Sequence, residues 1–311
     1  MNILSITGGG VRGIIACRLL LEIEKITKIP IYNLFDFYGG TSVGALIISG
    51  ALISDDNIKP RYTMEQLFNI FINELPNAFS WTYGSYLWSI FGLYGPKYTS
   101  IGLEKITGDI CGDKLLGDLL GNVCYPAYDK IKCKAYYFDK VVDKNIKLSD
   151  IILSCTAAPT YFPSHIMTIN DKTYDFIDGG LVVNNTAELA LLQATKHLTI
   201  VDKSQILELC IGTGQFNYGN YQKDGLVNWA PIIVDTIMNG AAENELYELS
   251  LSLPQENYFI MNLDLDPQYD YMDNTNIKVI DYYLGQTEKW ITDNKEKIES
   301  FCNKLVKNKN L

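Results

Sequence analysis

Apolar residues recur along the chain in two rhythms. Short runs such as NILSIT at 2–7 and LFDFYG at 34–39 are too brief for a buried helix and rich in strand formers, so they read as strands. Between them, VRGIIACRLLLEIEKI at 11–26 repeats its apolar positions every three to four residues, the period of an amphipathic helix. SVGALIISGAL at 42–52 is apolar on all sides and predicts a buried helix. Later, IKCKAYYFD, KTYDFIDGG and ILELCIGTG predict further strands, with a helix from about Ala187 to Lys196 between the last two. Strand, crossover helix and strand in this order predict the α/β class, a three-layer α/β/α arrangement around a mostly parallel sheet. Neither repeats nor a linker-like stretch divide the chain. A single domain over 1–311 is expected, with a motif-bearing core at about 3–215 and a C-terminal part, 216–311, packed on it. The last stretch, TEKWITDNKEKIESFCNKLVKNKN, reads as one surface helix of mixed charge that frays into a basic end.

Composition narrows the partners. With 47% apolar residues the chain can bury a large core, and a formal net charge of −10 argues against nucleic acid, whose phosphates need clustered Lys and Arg. The same charge disfavours general attraction to anionic lipid. The seven cysteines, at 17, 111, 124, 133, 155, 210 and 302, form no CxxC pair, so neither a metal site nor a disulfide framework is expected. No cofactor is implied. MNILSITGGG has no basic start or cleavable apolar region, and the charge-free runs 37–54 and 75–96 are broken by Gly, Ser, Pro or Asn. The expectation is a cytoplasmic protein without signal peptide or transmembrane helix.

Two glycine-rich turns carry the candidate chemistry. In SITGGGVRG, Gly8, Gly10 and Gly13 fit GxGxxG after a strand and at the mouth of a helix. Such a turn suits a dinucleotide pyrophosphate, with Asp36 as the ribose-binding acid, or the oxyanion of an acyl transfer. The next strand decides between them. It runs into Gly40-Thr41-Ser42-Val43-Gly44, a GxSxG turn that lifts a serine between strand and helix, which a dinucleotide fold has no reason to place there.

A nucleophilic serine needs a base, and the chain holds two histidines. His197 falls at a helix C-terminus, where imidazole commonly bonds the last carbonyls, and His165 lies in a Pro-bounded loop. Asp178 ends a strand and is followed by Gly179 and Gly180, a turn that allows close approach. Partial burial beside a hydroxyl would make its carboxylate a competent base, although an Asp-Gly pair is more often a surface turn.

Taken together, GGGxRG at 8–13, GxSxG at 40–44, and Asp178-Gly179-Gly180 with Asn184-Asn185 resemble the patatin-like phospholipases, serine hydrolases that use a Ser-Asp dyad. SCTAAPTYFPSH, LCIGTG, the PKY at 96–98 and YMDNTNIKVIDYY extend the likeness over nearly the whole chain. The resemblance implies that Ser42 is acylated, that Asp178 is its general base, and that the Gly8, Gly9, Gly10 and Gly13 turn forms the oxyanion hole. Gly9 and Gly10 would supply its amides and Arg12 its electrostatic support. Thr41 and Val43 would complete the nucleophile elbow. In one departure, Thr186 stands where the family commonly has proline, and Thr, a good N-cap, should still start the helix.

The implied activity is hydrolysis of fatty acyl esters of glycerolipids at a membrane or micelle surface, a phospholipase A or lipase reaction. FSWTYGSYLWSIFGLYGPKY, at 79–98, offers amphipathic rings suited to a water–lipid boundary, or an aromatic packing layer. Two alternatives stand beside it. One is an effector of the same family activated by a nucleotide signal, which the APIIVDTIMNGAAENELYEL stretch resembles; the other is a non-catalytic protein that binds a nucleotide on its glycine loop.

Overall fold

A computed structural model describes residues 1–79, 95–198, 202–216 and 233–309. Five parallel strands form its centre: β1 (Asn2–Ile6), β2 (Phe37–Gly40), β3 (Asn122–Asp129), β7 (Leu207–Ile211) and β9 (Tyr258–Met261), lying side by side in the order β3-β2-β1-β7-β9. Three antiparallel strands extend the β3 end: β4 (Lys134–Asp139) and β6 (Lys172–Asp178) pair with β3, and β5 (His165–Ile169) pairs with β6. Two short strands, β8 (Gln215–Phe216) and β10 (Asp264–Leu265), pair apart from the main sheet.

The strands are buried on both faces, and their period of two divides the side chains between two cores. Leu4, Tyr38, Tyr125 and Leu209 face the larger core, built with α1 (Gly13–Thr27), α3 (Val43–Leu52), α4 (Met64–Glu74), α5 (Ile101–Cys111) and α6 (Leu148–Thr156). The short helix α2 (Ile31–Leu34) precedes β2. Their neighbours Ile3, Phe37, Cys124 and Cys210 face the smaller core, against α7 (Ala187–Leu198) and α8 (Ile233–Ser252). Helices thus cover both faces, as the alternation of strands and helices predicts.

The C-terminal stretch forms two helices rather than one, α9 (Ile277–Asp293) and α10 (Lys295–Asn308), broken at Asn294, whose side-chain amide donates to the Trp290 carbonyl at 3.0 Å. Ile298, Phe301, Cys302 and Leu305 of α10 are buried in the larger core, so this segment is half inside. No helix among the described residues is long and apolar enough to cross a membrane.

One register detail positions the chemistry. Cys124 pairs with Gly39 of β2 on one side and Asp139 of β4 on the other, while three residues on Ala127 pairs with Asp178 of β6 and Tyr136 of β4. Strands β2 and β6 therefore share one edge of β3, running toward each other, and their ends meet. Pro126 sits at the junction. A Cβ on Gly179 would come within 2.3 Å of the Pro126 carbonyl, which places the missing N–H of this proline where β2 has left and β6 has yet to arrive.

Candidate active site

Ser42 occupies the tip of the turn from β2 into α3. Its backbone lies at φ 54 and ψ −124, a conformation that an L residue holds only when its surroundings over-determine it. The turn supplies that constraint. Thr41 N–H donates to the Ile6 carbonyl at 3.2 Å, Thr41 Oγ1 to the Val183 carbonyl at 2.6 Å, and Gly44 N–H to the Thr41 carbonyl at 2.8 Å. Gly44 must lack a side chain because a Cβ there would stand 2.4 Å from the Ile6 carbonyl oxygen.

Asp178, at the end of β6, is fully buried. Its Oδ1 accepts the Gly180 N–H at 2.8 Å, and its Oδ2 closes no hydrogen bond with a described residue. Burial pushes its carboxyl up to about 6, against which the neighbouring Ser42 hydroxyl and the Gly180 amide hold it down. Ser42 and Asp178 line one cavity whose other walls are mostly apolar, Leu46, Leu75, Phe79, Leu103, Phe162 and Met238 among them.

The glycine loop after β1 borders the same cavity through Gly10. Of the residues expected to form an oxyanion hole, Gly8 gives its N–H to the Asn184 carbonyl at 3.1 Å, and Gly13 gives its own to the carbonyls of the short 3-10 turn before it. The amides of Gly9 and Gly10 donate to no described residue. Gly10 holds φ +59, and a Cβ on it would lie 2.3 Å from the Met272 carbonyl, so only glycine fits. Arg12 is buried, with its Nε 3.4 Å from the Gly9 carbonyl, its Nη1 3.3 Å from Asp270 Oδ1 and its guanidinium 4.9 Å from the Phe216 ring centre.

A second layer of contacts holds this loop in place, and sequence reasoning missed it. Thr213 Oγ1 donates to the Gly8 carbonyl at 2.7 Å, and Val11 N–H donates to the Met272 carbonyl at 2.8 Å. Asp273, one residue on, accepts from Tyr98 Oη at 2.6 Å and pairs with Lys97 Nζ. The resemblance covers the stretches that hold these residues, at 96–98, 209–214 and 271–283, yet only the fold brings them together around the glycine loop.

The histidines lie elsewhere. His197 Nε2 sits 2.5 Å from Asp139 Oδ2, with its ring stacked on Phe37, and His165, the first residue of β5 rather than part of a loop, lies 3.6 Å from Asp150. Neither lines the cavity that Ser42 and Asp178 share. Helix α7 starts as the Thr186 substitution permits, although its first amide, that of Ala187, is capped by Asn185 Oδ1 at 3.0 Å. The aromatic run at 79–98, including Trp81 and Trp88, lies outside the described residues save for Phe79 and 95–98, as does the start of the APIIVDTIM stretch.

A family model described as patatin-like phospholipase matches residues 4–191. Patatin-like protein 2 of Oryza sativa subsp. indica is 30% identical over 276 residues, covering 75% of this chain and 68% of its own length. Patatin-like protein 4 of Arabidopsis thaliana is 28% identical over 346 residues, covering 98% of this chain and 83% of its own.

Proposed function

This chain belongs to the patatin-like phospholipase family, and from that premise we propose that it is a serine lipid acyl hydrolase that cleaves fatty acyl esters of glycerolipids. The observation that carries the reading is the meeting of a strained serine and a buried, half-satisfied carboxylate in one apolar cavity.

In this mechanism Ser42 Oγ attacks the ester carbonyl while Asp178 accepts its proton. The negative charge that forms on the carbonyl oxygen is held by the Gly9 and Gly10 amides, which have no described acceptor to give up. Collapse of this intermediate expels the glycerol alkoxide, which takes the proton from Asp178, and leaves the acyl group on Ser42. Water then repeats the sequence, giving its proton to Asp178, and releases the fatty acid. The open Oδ2 suits this role, since catalytic hydrogen bonds are often loose before substrate arrives. The apolar walls formed by Leu46, Leu75, Phe79 and Phe162 suit an acyl chain, whose burial contributes roughly 0.8 kcal/mol per methylene.

A fluorophosphonate probe with mass analysis tests the reading. Labelling of Ser42, its loss in Ser42→Ala and the parallel loss of p-nitrophenyl butyrate hydrolysis are expected. Hydrolysis retained above a hundredth of wild type in Ser42→Ala would remove Ser42 from the nucleophile role.

A further inference from the structure

The glycine loop after β1 runs between two other turns, because β1 lies between β2 and β7 in the sheet. On the β2 side stands the turn that carries Ser42, and a Cβ on Gly8 would come within 3.2 Å of Ser42 Cβ. On the β7 side stands Gly212-Thr213-Gly214, which follows β7 directly. This turn is tied to the end of the next strand: Gly212 N–H donates to the Met261 carbonyl and Gly214 N–H to Asn262 Oδ1, both at 2.9 Å. Thr213, held between those two bonds, is 2% exposed.

Its side chain lies against the loop at one peptide. Thr213 Oγ1 donates to the Gly8 carbonyl at 2.7 Å, and a Cβ on Gly9 would lie 2.1 Å from that oxygen and 2.7 Å from Thr213 Cβ. A trans peptide is planar, with its C=O and N–H on opposite sides. A Gly8 carbonyl turned toward β7 therefore turns the Gly9 N–H the other way, to the side where Ser42 stands. The next peptide is fixed from within the loop, since the Gly9 carbonyl accepts the Arg12 N–H at 3.2 Å and Arg12 Nε at 3.4 Å. The Gly8–Gly9 peptide takes its bond from across the sheet instead. A peptide plane turns over by changing ψ of the residue before it and φ of the residue after it, and here both residues are glycine, which tolerates either setting. The glycines that let the loop fit thus also leave it free to flip, and the Thr213 hydroxyl is what holds one orientation.

On the acyl-hydrolase reading, which supplies the charge to be held, we infer that Thr213 is a positioning residue of the reaction: its hydroxyl selects one of two orientations of the Gly8–Gly9 peptide and so aims the Gly9 N–H at the oxygen that turns negative. It acts through that peptide and touches no reacting atom.

Kinetics on p-nitrophenyl butyrate, together with melting curves, compare wild type, Thr213→Val and Thr213→Ser. Valine keeps the shape and loses the donor, whereas serine keeps the donor and loses a methyl group. Thr213→Val should lower kcat and kcat/KM together by about a hundredfold, the scale of one lost oxyanion donor, with KM within about threefold of wild type. Thr213→Ser should melt earlier yet keep kcat within about threefold. A threonine that serves packing alone gives a different pattern. A kcat in folded Thr213→Val within about threefold of wild type, or a loss in folded Thr213→Ser as deep as that in Thr213→Val, overturns the inference. A crystal structure of Thr213→Val reads the peptide without turnover, and a Gly8 carbonyl still directed at residue 213 overturns the inference as well. If that carbonyl turns away while wild type neither cleaves ester nor takes a fluorophosphonate on Ser42, the orienting role stands and the hydrolase reading falls.

Discussion

At Asp178 the needs of chemistry and of stability oppose each other. The folded protein holds this carboxyl at about 6, above the ordinary 3.8, so the folded state keeps its proton to higher pH than the unfolded chain does. Stability from this group is therefore fully present below about pH 4, is lost as pH rises toward 6, and stays lost above it. Replacing Asp178 with the neutral Asn removes that loss. Asp178→Asn is expected to melt later than wild type at pH 8, with the difference vanishing near pH 4, while its kcat drops at least about a hundredfold, the scale of a positioned base. Melting curves across pH check the first statement, and the wild type's kcat/KM should itself fall below an apparent pKa near 6. Ser42 carries a parallel strain. Glycine accepts φ 54 freely, so Ser42→Gly should gain about 1–3 kcal/mol over Ser42→Ala, both being inactive. The histidines lie outside the cavity that Ser42 and Asp178 share. Replacing His165 and His197 together by Gln should leave kcat within about tenfold, and a dead double variant would revive a triad.

At the scale of elements, the head-to-head ends of β2 and β6 set the distance between Ser42 and Asp178, and the Asn184 and Met272 carbonyls and the Thr213 hydroxyl pin the glycine loop. Gly10→Ala tests the pinning: a Cβ 2.3 Å from the Met272 carbonyl forces the loop or the 270–273 segment aside. It should lower kcat at least about a hundredfold and lower the melting temperature, the backbone strain alone costing about 1–3 kcal/mol. The sequence shows the turns themselves, because GGG, GxSxG and DGG are local patterns with local causes. It hides what lies between them. Strand β3 escapes notice because Pro126 sits in its middle, and only the exchange of β2 for β6 along its edge explains why a proline fits there. His165 reads as loop because Pro163 precedes it closely, yet pairing with Phe176 draws it into β5. The clasp of Lys97, Tyr98 and Asp273 joins residues 175 or more positions apart, a distance over which no sequence period operates.

At the scale of the whole molecule, a net charge of −10 leaves little Coulomb attraction for anionic lipid, so the proposed contact with an interface would rest on apolar burial. Raising salt from about 0.05 to about 0.5 M should therefore leave vesicle binding within about twofold, whereas a steep loss, measured by sedimentation with lipid, would point to a hidden basic patch. The site also reaches beyond the span that the family model matches. Residues 4–191 contain Ser42, Asp178 and the glycine loop, but Thr213, Asp270 and the Met272 carbonyl hold that loop in shape. On the proposed reading, a polypeptide emerging from the ribosome thus presents its nucleophile early and completes its oxyanion site late. Chains stalled before Asp270 should resist fluorophosphonate labelling, and chains extended past α10 should accept it. On the proposed reading, synthesis itself works as a safety catch, keeping an acyl hydrolase inert until the residues that hold its glycine loop have been made.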